Sequence, residues 1–171
     1  FLSKPLHPLE CGADMCCDSA HKTFPVLTGG AYLHISRDAP QFFENAKNAM
    51  ALFGSTSPSY LILRSLDLCN AYLAGTYPEK LERIAQLLDT AKNVLMCHGW
   101  QISGDEPMKL TVVSPDGADG RQLADMLRSS GIECEYADGE YVVLMPSSET
   151  DEAELERVIE SLGTNTIPYN G

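Results

Sequence analysis

Between Tyr60 and Ala74 the chain is apolar nearly all the way round. Leu61, Ile62, Leu63, Leu66, Leu68, Cys69, Tyr72 and Leu73 crowd fifteen residues broken by few charges. A helix of this kind is buried in a large protein or at a subunit interface. The chain has 171 residues, with 44% hydrophobic content. That length and content suit one domain, or a small domain with a piece of another. No apolar run reaches the roughly 20 residues needed to span a bilayer, and Phe1-Leu2-Ser3-Lys4-Pro5 lacks the pattern of a signal peptide. The net charge of −12 argues against nucleic acid and against an anionic membrane surface, since both need a basic face.

Ahead of that helix lies Asp18-Ser19-Ala20-His21-Lys22-Thr23, leading into Pro25-Val26-Leu27-Thr28-Gly29-Gly30. An amine flanked by hydroxyls and an imidazole suits a phosphorylated aldehyde: the amine takes the carbonyl and the neighbours hold the phosphate. The segment follows a short apolar run, Ala13 to Cys17, read as a buried strand of a parallel sheet. Open α/β sheets place ligands beyond such strand ends. Gly29 and Gly30 provide an unusual dihedral or a close backbone approach before the next strand, residues 30–35. A surface role is the ordinary fate of a lysine taken by type alone.

Residues 18–28 are similar to the S-x-H-K-T-x-P-x-L-T stretch of the ornithine/lysine/arginine decarboxylases. Ser55-Thr56-Ser57-Pro58-Ser59-Tyr60 is similar to a second stretch of that family, T-S-P-S-Y, some 35 residues on. The resemblance covers residues 1 to about 75 well, and the remainder only in topology. It implies an α/β plus α+β chain, the C-terminal part of a fold type I pyridoxal 5′-phosphate (PLP) enzyme. Lys22 would carry the cofactor as a Schiff base, Ser19, His21 and Thr23 would surround the phosphate, and Ser55, Thr56 and Ser57 would complete its site from a partner subunit. The other reading of that loop is an N-cap by Ser57 or Ser59, with Pro58 in the first turn.

The implied activity is decarboxylation of a basic amino acid, arginine, lysine or ornithine, in a homodimer or higher oligomer. In relatives the acid facing the ring nitrogen lies in a D-E-A-H-G-A-H stretch upstream of the lysine. This chain starts where that stretch would have ended, and neither Asp14 nor Asp18 matches the position. The expectation is an incomplete site and no activity for the chain alone. Two other readings stand beside it: another fold type I enzyme, such as an aminotransferase or C–C lyase, or a non-catalytic dimerising α+β module.

The remaining elements follow from periodicity. Residues 41–52 read as a helix with Pro40 in its first turn. A helix over about 78–97 has Leu81, Ile84, Ala85, Leu88, Ala91 and Leu95 on one stripe, and Gly99 ends it. A strand (109–114), a helix (120–130) ended by Gly131, an alternating strand (132–136), a hairpin at Asp138-Gly139, a strand (141–145) and a helix capped by Thr150 complete the chain. This gives a PLP-binding part over 1–75, a linking helix over 76–100 and a small α+β domain over 101–171, its sheet covered on one side by two helices. The tail from Thr164 is unassigned. Cys11, Cys16, Cys17, Cys69, Cys97 and Cys134 contain no C-x-x-C pair, and the four histidines show no zinc spacing. No metal site is expected; Cys16, Cys17 and Cys69 read as small buried hydrophobes in a reduced, cytoplasmic protein.

Overall fold

The computed structural model describes residues 7–115 and 117–163, so the readings of Phe1–Pro5 and Thr164–Gly171 lie outside the described residues. The chain divides into two compact units, Phe1–Pro78 and Glu79–Gly171.

In the first unit, β1 (Met15–Asp18) pairs with β2 (Tyr32–Ile35), with Cys16 opposite His34 and Asp18 opposite Tyr32. The pairing is antiparallel, not parallel as expected. A parallel pair needs a crossover, usually helical. Here the connection holds only a 3₁₀ turn, Ala20–Lys22, and then reverses through Gly29 at φ +95°. Nor is β1 buried: Met15 and Cys17 are exposed, Cys16 half-buried. Thus, of the three cysteines read as core, only Cys69 is buried, and all six are free.

A 3₁₀ turn with Pro40 in its first position leads into α1 (Phe43–Phe53). The apolar helix is α2 (Tyr60–Ala74), with the bounds the pattern sets. Within this chain only Cys69 of the helix is fully buried. Tyr60 and Leu61 are 85% and 73% exposed, and Leu52 and Phe53 of α1 are 75% and 86% exposed. The face of α2 that does pack holds the lysine segment, as described below. Among the described residues, no helix is long and apolar enough to cross a membrane.

The segment read as a link is α3 (Tyr77–Cys97), and from Glu79 on it belongs to the second unit. Leu81, Ile84, Leu88, Ala91 and Leu95 are buried as the stripe predicts. Leu88 lines one cavity with Leu110, Leu144, Leu155 and Val158, so α3 walls the core of that unit. The sheet runs β3-β4-β6-β5, every pair antiparallel: β3 (Ile102–Ser103), β4 (Leu110–Val113), β5 (Tyr136–Ala137), β6 (Tyr141–Leu144). Strand β3 has no counterpart in the sequence reading; two residues carry no period. Helix α4 (Gly120–Ser129) packs on β6 and on α5 (Glu152–Gly163). Gly131, at φ +78°, follows α4 as expected.

The alternating run 132–136 forms ladder only at its end, although Glu135 N–H still donates to Val143 O at 2.9 Å. The final helix is capped by Asp151, not Thr150. Asp151 Oδ1 accepts from Glu154 N–H at 2.9 Å, and Glu154 Oε2 accepts from Asp151 N–H at 3.0 Å, a reciprocal capping box. Thr150 Oγ1 instead accepts from Ser147 N–H.

The β5–β6 hairpin turns at Asp138 and Gly139, yet Gly139 does not use positive φ. The Asp138 carboxylate makes the turn, accepting from Glu140 N–H and Tyr141 N–H at 2.8 Å each and from the Tyr136 hydroxyl at 2.9 Å. Those bonds, the backbone ones first, hold the Asp138 carboxyl below the usual range. A depressed carboxylate contributes stability above its unfolded pKa and loses it as pH falls through the folded value. Asp138→Asn keeps the accepting oxygen and removes the charge. It is expected to flatten the acid limb of a stability-against-pH curve below about pH 4; an unchanged limb would show that the turn does not titrate.

Candidate functional site

The lysine lies on a turn gripped at both ends. Ser19 O accepts from Lys22 N–H at 3.1 Å, and Ala20 O accepts from Thr23 and Phe24 N–H. Ala20 is the buried anchor, 2% exposed, which leaves Ser19, Lys22 and Thr23 outward. His21 is fixed to a single acceptor, the Gly30 carbonyl. Its backbone N–H donates at 3.2 Å and its ring Nδ1–H at 3.0 Å. A carbonyl only accepts, so Nδ1 carries the proton and Nε2 is left for another group.

Gly30 explains why two glycines precede β2. A Cβ there would overlap the Val26 side chain and stand 3.2 Å from Leu27 O and 3.5 Å from Leu66 Cδ2. The close approach thus belongs to Gly30 and the unusual dihedral to Gly29. Helix α2 secures the same loop. Ser65 Oγ accepts from Leu27 N–H at 3.1 Å, and the Tyr32 hydroxyl lies 2.9 Å from Asn70 Oδ1 and 3.1 Å from Leu66 O. Burial, with Cys69 beside it, pushes the Tyr32 hydroxyl up, keeping it protonated as the donor.

Ser55, Thr56 and Ser57 lie in the exposed loop between α1 and α2. The Ser55 hydroxyl accepts from Ser57 N–H at 3.1 Å. The N-cap alternative is not realised: Ser59 precedes α2 but makes no side-chain cap, and Pro58 lies before it, outside the first turn. Among the described residues no hydrogen bond joins this loop to the lysine turn. The structure therefore gathers Ser19, His21, Lys22 and Thr23 on one turn and leaves Ser55–Ser57 apart from them.

A second cluster escaped the sequence reading, which found no metal-ligand spacing. Asp18 Oδ2 is 2.9 Å from His7 Nε2 and 3.1 Å from His34 Nε2. Cys16 Sγ is 3.8 Å from His7 Nε2 and 3.9 Å from Asp18 Oδ2. The residues are 11, 2 and 16 positions from Asp18, so linear spacing gave no signal; strand pairing and the loop after residue 7 assemble them. Partial burial first, then the Asp18 carboxylate, push the Cys16 thiol up.

The donors on the lysine turn fit a phosphorylated aldehyde such as PLP. Among the described residues no other side chain engages the Ser19 hydroxyl, the Lys22 amine or the Thr23 hydroxyl, and His21 Nε2 is uncommitted.

Comparison with known proteins agrees. Residues 10–112, more than half of the chain, match the family model described as Orn/Lys/Arg decarboxylase, major domain. The chain is 33% identical over 150 residues to the uncharacterized protein YaaO of Bacillus subtilis, covering 82% of this chain and 31% of that protein. It is 27% identical to an arginine decarboxylase of Bacillus anthracis, covering 92% of this chain and 35% of the relative. The chain thus spans about a third of the length of these relatives. Among solved structures it resembles the Francisella novicida lysine decarboxylase LdcF, with a TM-score of 0.70 at 18% identity over 86% of this chain and 27% of that one. It also resembles an alanine–glyoxylate aminotransferase from Nostoc, with a TM-score of 0.62 at 15% identity over 94% of this chain and 50% of that one. The fold is the mixed α/β arrangement of fold type I PLP enzymes.

Proposed function

Because this chain belongs to the Orn/Lys/Arg decarboxylase family, we propose that it is part of a PLP-dependent decarboxylase of a basic amino acid, with Lys22 as the amine that holds the cofactor. The observation that carries this reading is the single turn that presents Ser19, Lys22 and Thr23 outward and clamps His21 between them to Gly30. When bound, PLP supplies the electron sink for the bond broken at the substrate's α-carbon.

The chain's own residues do the holding. The Lys22 amine would hold the cofactor at its carbonyl carbon, and the Ser19 and Thr23 hydroxyls would hold its phosphate. With Nδ1–H committed to the Gly30 carbonyl, His21 would meet the phosphate through its Nε2 edge. Ser55, Thr56 and Ser57 would supply donors to the phosphate held by a partner subunit. The exposed apolar residues of α1 and α2 support burial against further protein in a homodimer or larger assembly. Arginine, lysine and ornithine are the substrate candidates. The chain alone is expected to release no CO2 from any of them, since neither Asp14 nor Asp18, the acids near the turn, matches the position of the acid that faces the ring nitrogen in relatives.

The test is a PLP titration of the purified chain followed by borohydride reduction and peptide mapping. The expected result is a stoichiometric adduct on Lys22 that Lys22→Ala abolishes. Labelling spread evenly over other lysines, or undiminished in the variant, would overturn the assignment of Lys22. The aminotransferase reading is carried by fold likeness alone, and a keto-acid product would support it. Stable dimers with no PLP adduct would support the non-catalytic module.

A further inference from the structure

We propose that His7, Cys16 and Asp18 form a binding site for a divalent late transition metal of the zinc class, with His34 beside the carboxylate. The donors are an imidazole nitrogen, a thiol sulfur and a carboxylate oxygen, all within 4.8 Å of one another. This mixed nitrogen, sulfur and oxygen set suits zinc, cobalt or nickel and not the hard cations calcium and magnesium, which take oxygen alone.

The spacing fits a shared ion. With metal bonds of zinc length, the edges of a tetrahedral site are about 3.3 Å between nitrogen and oxygen and about 3.6 Å between sulfur and either. The observed separations are 2.9 Å from His7 Nε2 to Asp18 Oδ2, 3.8 Å from Cys16 Sγ to His7 Nε2, and 3.9 Å from Cys16 Sγ to Asp18 Oδ2. Each edge needs a shift of only a few tenths of an ångström. His34 Nε2 lies 3.1 Å from the same Asp18 Oδ2, beside the ligating oxygen. Three protein ligands leave a fourth position for water or another donor. On binding, the Cys16 thiol proton passes to solvent and the thiolate ligates; the His7 ring proton moves from Nε2 to Nδ1, giving up the 3.4 Å bond that Nδ1 accepts from Leu9 N–H, so that neutral imidazole ligates through Nε2.

The site has an entry and a consequence. The His7, His34 and Asp18 side chains are 39%, 39% and 40% exposed, so an ion reaches them from solvent. His7 lies in the leading loop, Cys16 and Asp18 on β1, and His34 on β2. An ion here would pin that loop to the strand pair directly before the lysine turn, since Asp18 adjoins Ser19.

The test is titration of the reduced, chelator-stripped 171-residue chain with Co(II), followed by displacement with Zn(II). The expected result is one equivalent of Co(II) giving a thiolate-to-cobalt charge-transfer band and tetrahedral visible bands, all removed by Zn(II). Cys16→Ser is expected to abolish the charge-transfer band. His7→Asn, a loop substitution that leaves both strands intact, is expected to weaken Co(II) at least about tenfold. The double variant Cys11→Ser/Cys17→Ser is expected to retain the band, which separates the site from the other nearby thiols. Absence of a thiolate band in the folded parent chain would overturn the proposal. So would a band that survives Cys16→Ser, affinity unmoved by His7→Asn, or loss of the band in the double variant. In each case the cluster would be a His7–Asp18 hydrogen bond with Cys16 and His34 nearby, and nothing more. None of these readouts uses PLP, so the result is independent of the function proposed for Lys22.

Discussion

Gly30→Ala is expected to loosen the lysine turn by about 1–3 kcal/mol, the usual cost of forcing a group into filled space. The new methyl would overlap Val26, crowd the Leu27 carbonyl and reach ordinary contact with Leu66 of α2. Val26 can rotate away, but the backbone carbonyl yields only if residue 27 or residue 30 moves. The carbonyl of residue 30 receives both His21 bonds, so any shift there unseats His21 and, one residue on, Lys22. Hydrogen exchange read peptide by peptide checks this. Amides of residues 20–35 should exchange roughly 5- to 150-fold faster, the equivalent of that loss, while amides of the second unit stay unchanged. Gly139→Ala is the matched control: it uses no positive φ and has nothing within 4 Å of its added methyl. Full protection of the His21 amide in Gly30→Ala would show that the loop accommodates a side chain. The glycine pair would then need another explanation.

The lysine turn was legible in the sequence because its chemistry is local. Ser19, His21, Lys22 and Thr23 fall within five residues, and a single turn is enough to present them together. Helix α2 was legible to the residue for the same reason: its signal is a long unbroken run. Strand direction was not. Ala13 to Cys17 reads as buried because its residues are apolar, but composition does not say whether the connection that follows can cross over. It cannot, so β1 and β2 pair antiparallel and Cys17 faces outward. The cap of α5 shows a subtler ambiguity. Thr150 and Asp151 are both good N-caps, and the choice is settled by Glu154, three residues after Asp151, completing the reciprocal pair. The His7–Cys16–Asp18–His34 cluster was invisible because only Cys16 and Asp18 share a face of one strand, and a single pair two residues apart is no signal by itself. Only the antiparallel register that sets Cys16 opposite His34 creates it.

The sequence also reads α3 as a link, since an amphipathic helix before a change of texture fits a connector. Its stripe alone does not say which core receives it. The buried side chains do, and Leu88→Ala is therefore expected to destabilise the second unit by about 2–5 kcal/mol, the range for deleting a fully buried leucine. Leu88 is 0% exposed and shares one cavity wall with Leu110 of β4, Leu144 of β6, and Leu155 and Val158 of α5. Truncation would enlarge a space bounded by three other elements. Against a typical total of about 5–15 kcal/mol for a domain, the loss is large enough to shift the unfolding midpoint plainly. Leu61→Ala on α2, at a site 73% exposed, is expected to change stability by less than about 0.5 kcal/mol. The two arrangements differ in which amides respond. If α3 walls the core, Leu88→Ala speeds exchange in β4, β6 and α5 together with α3, because they open as one cooperative unit. If α3 were only a connector, the helix would lose protection alone and Val112 and Val142, both 0% exposed in the sheet, would keep theirs.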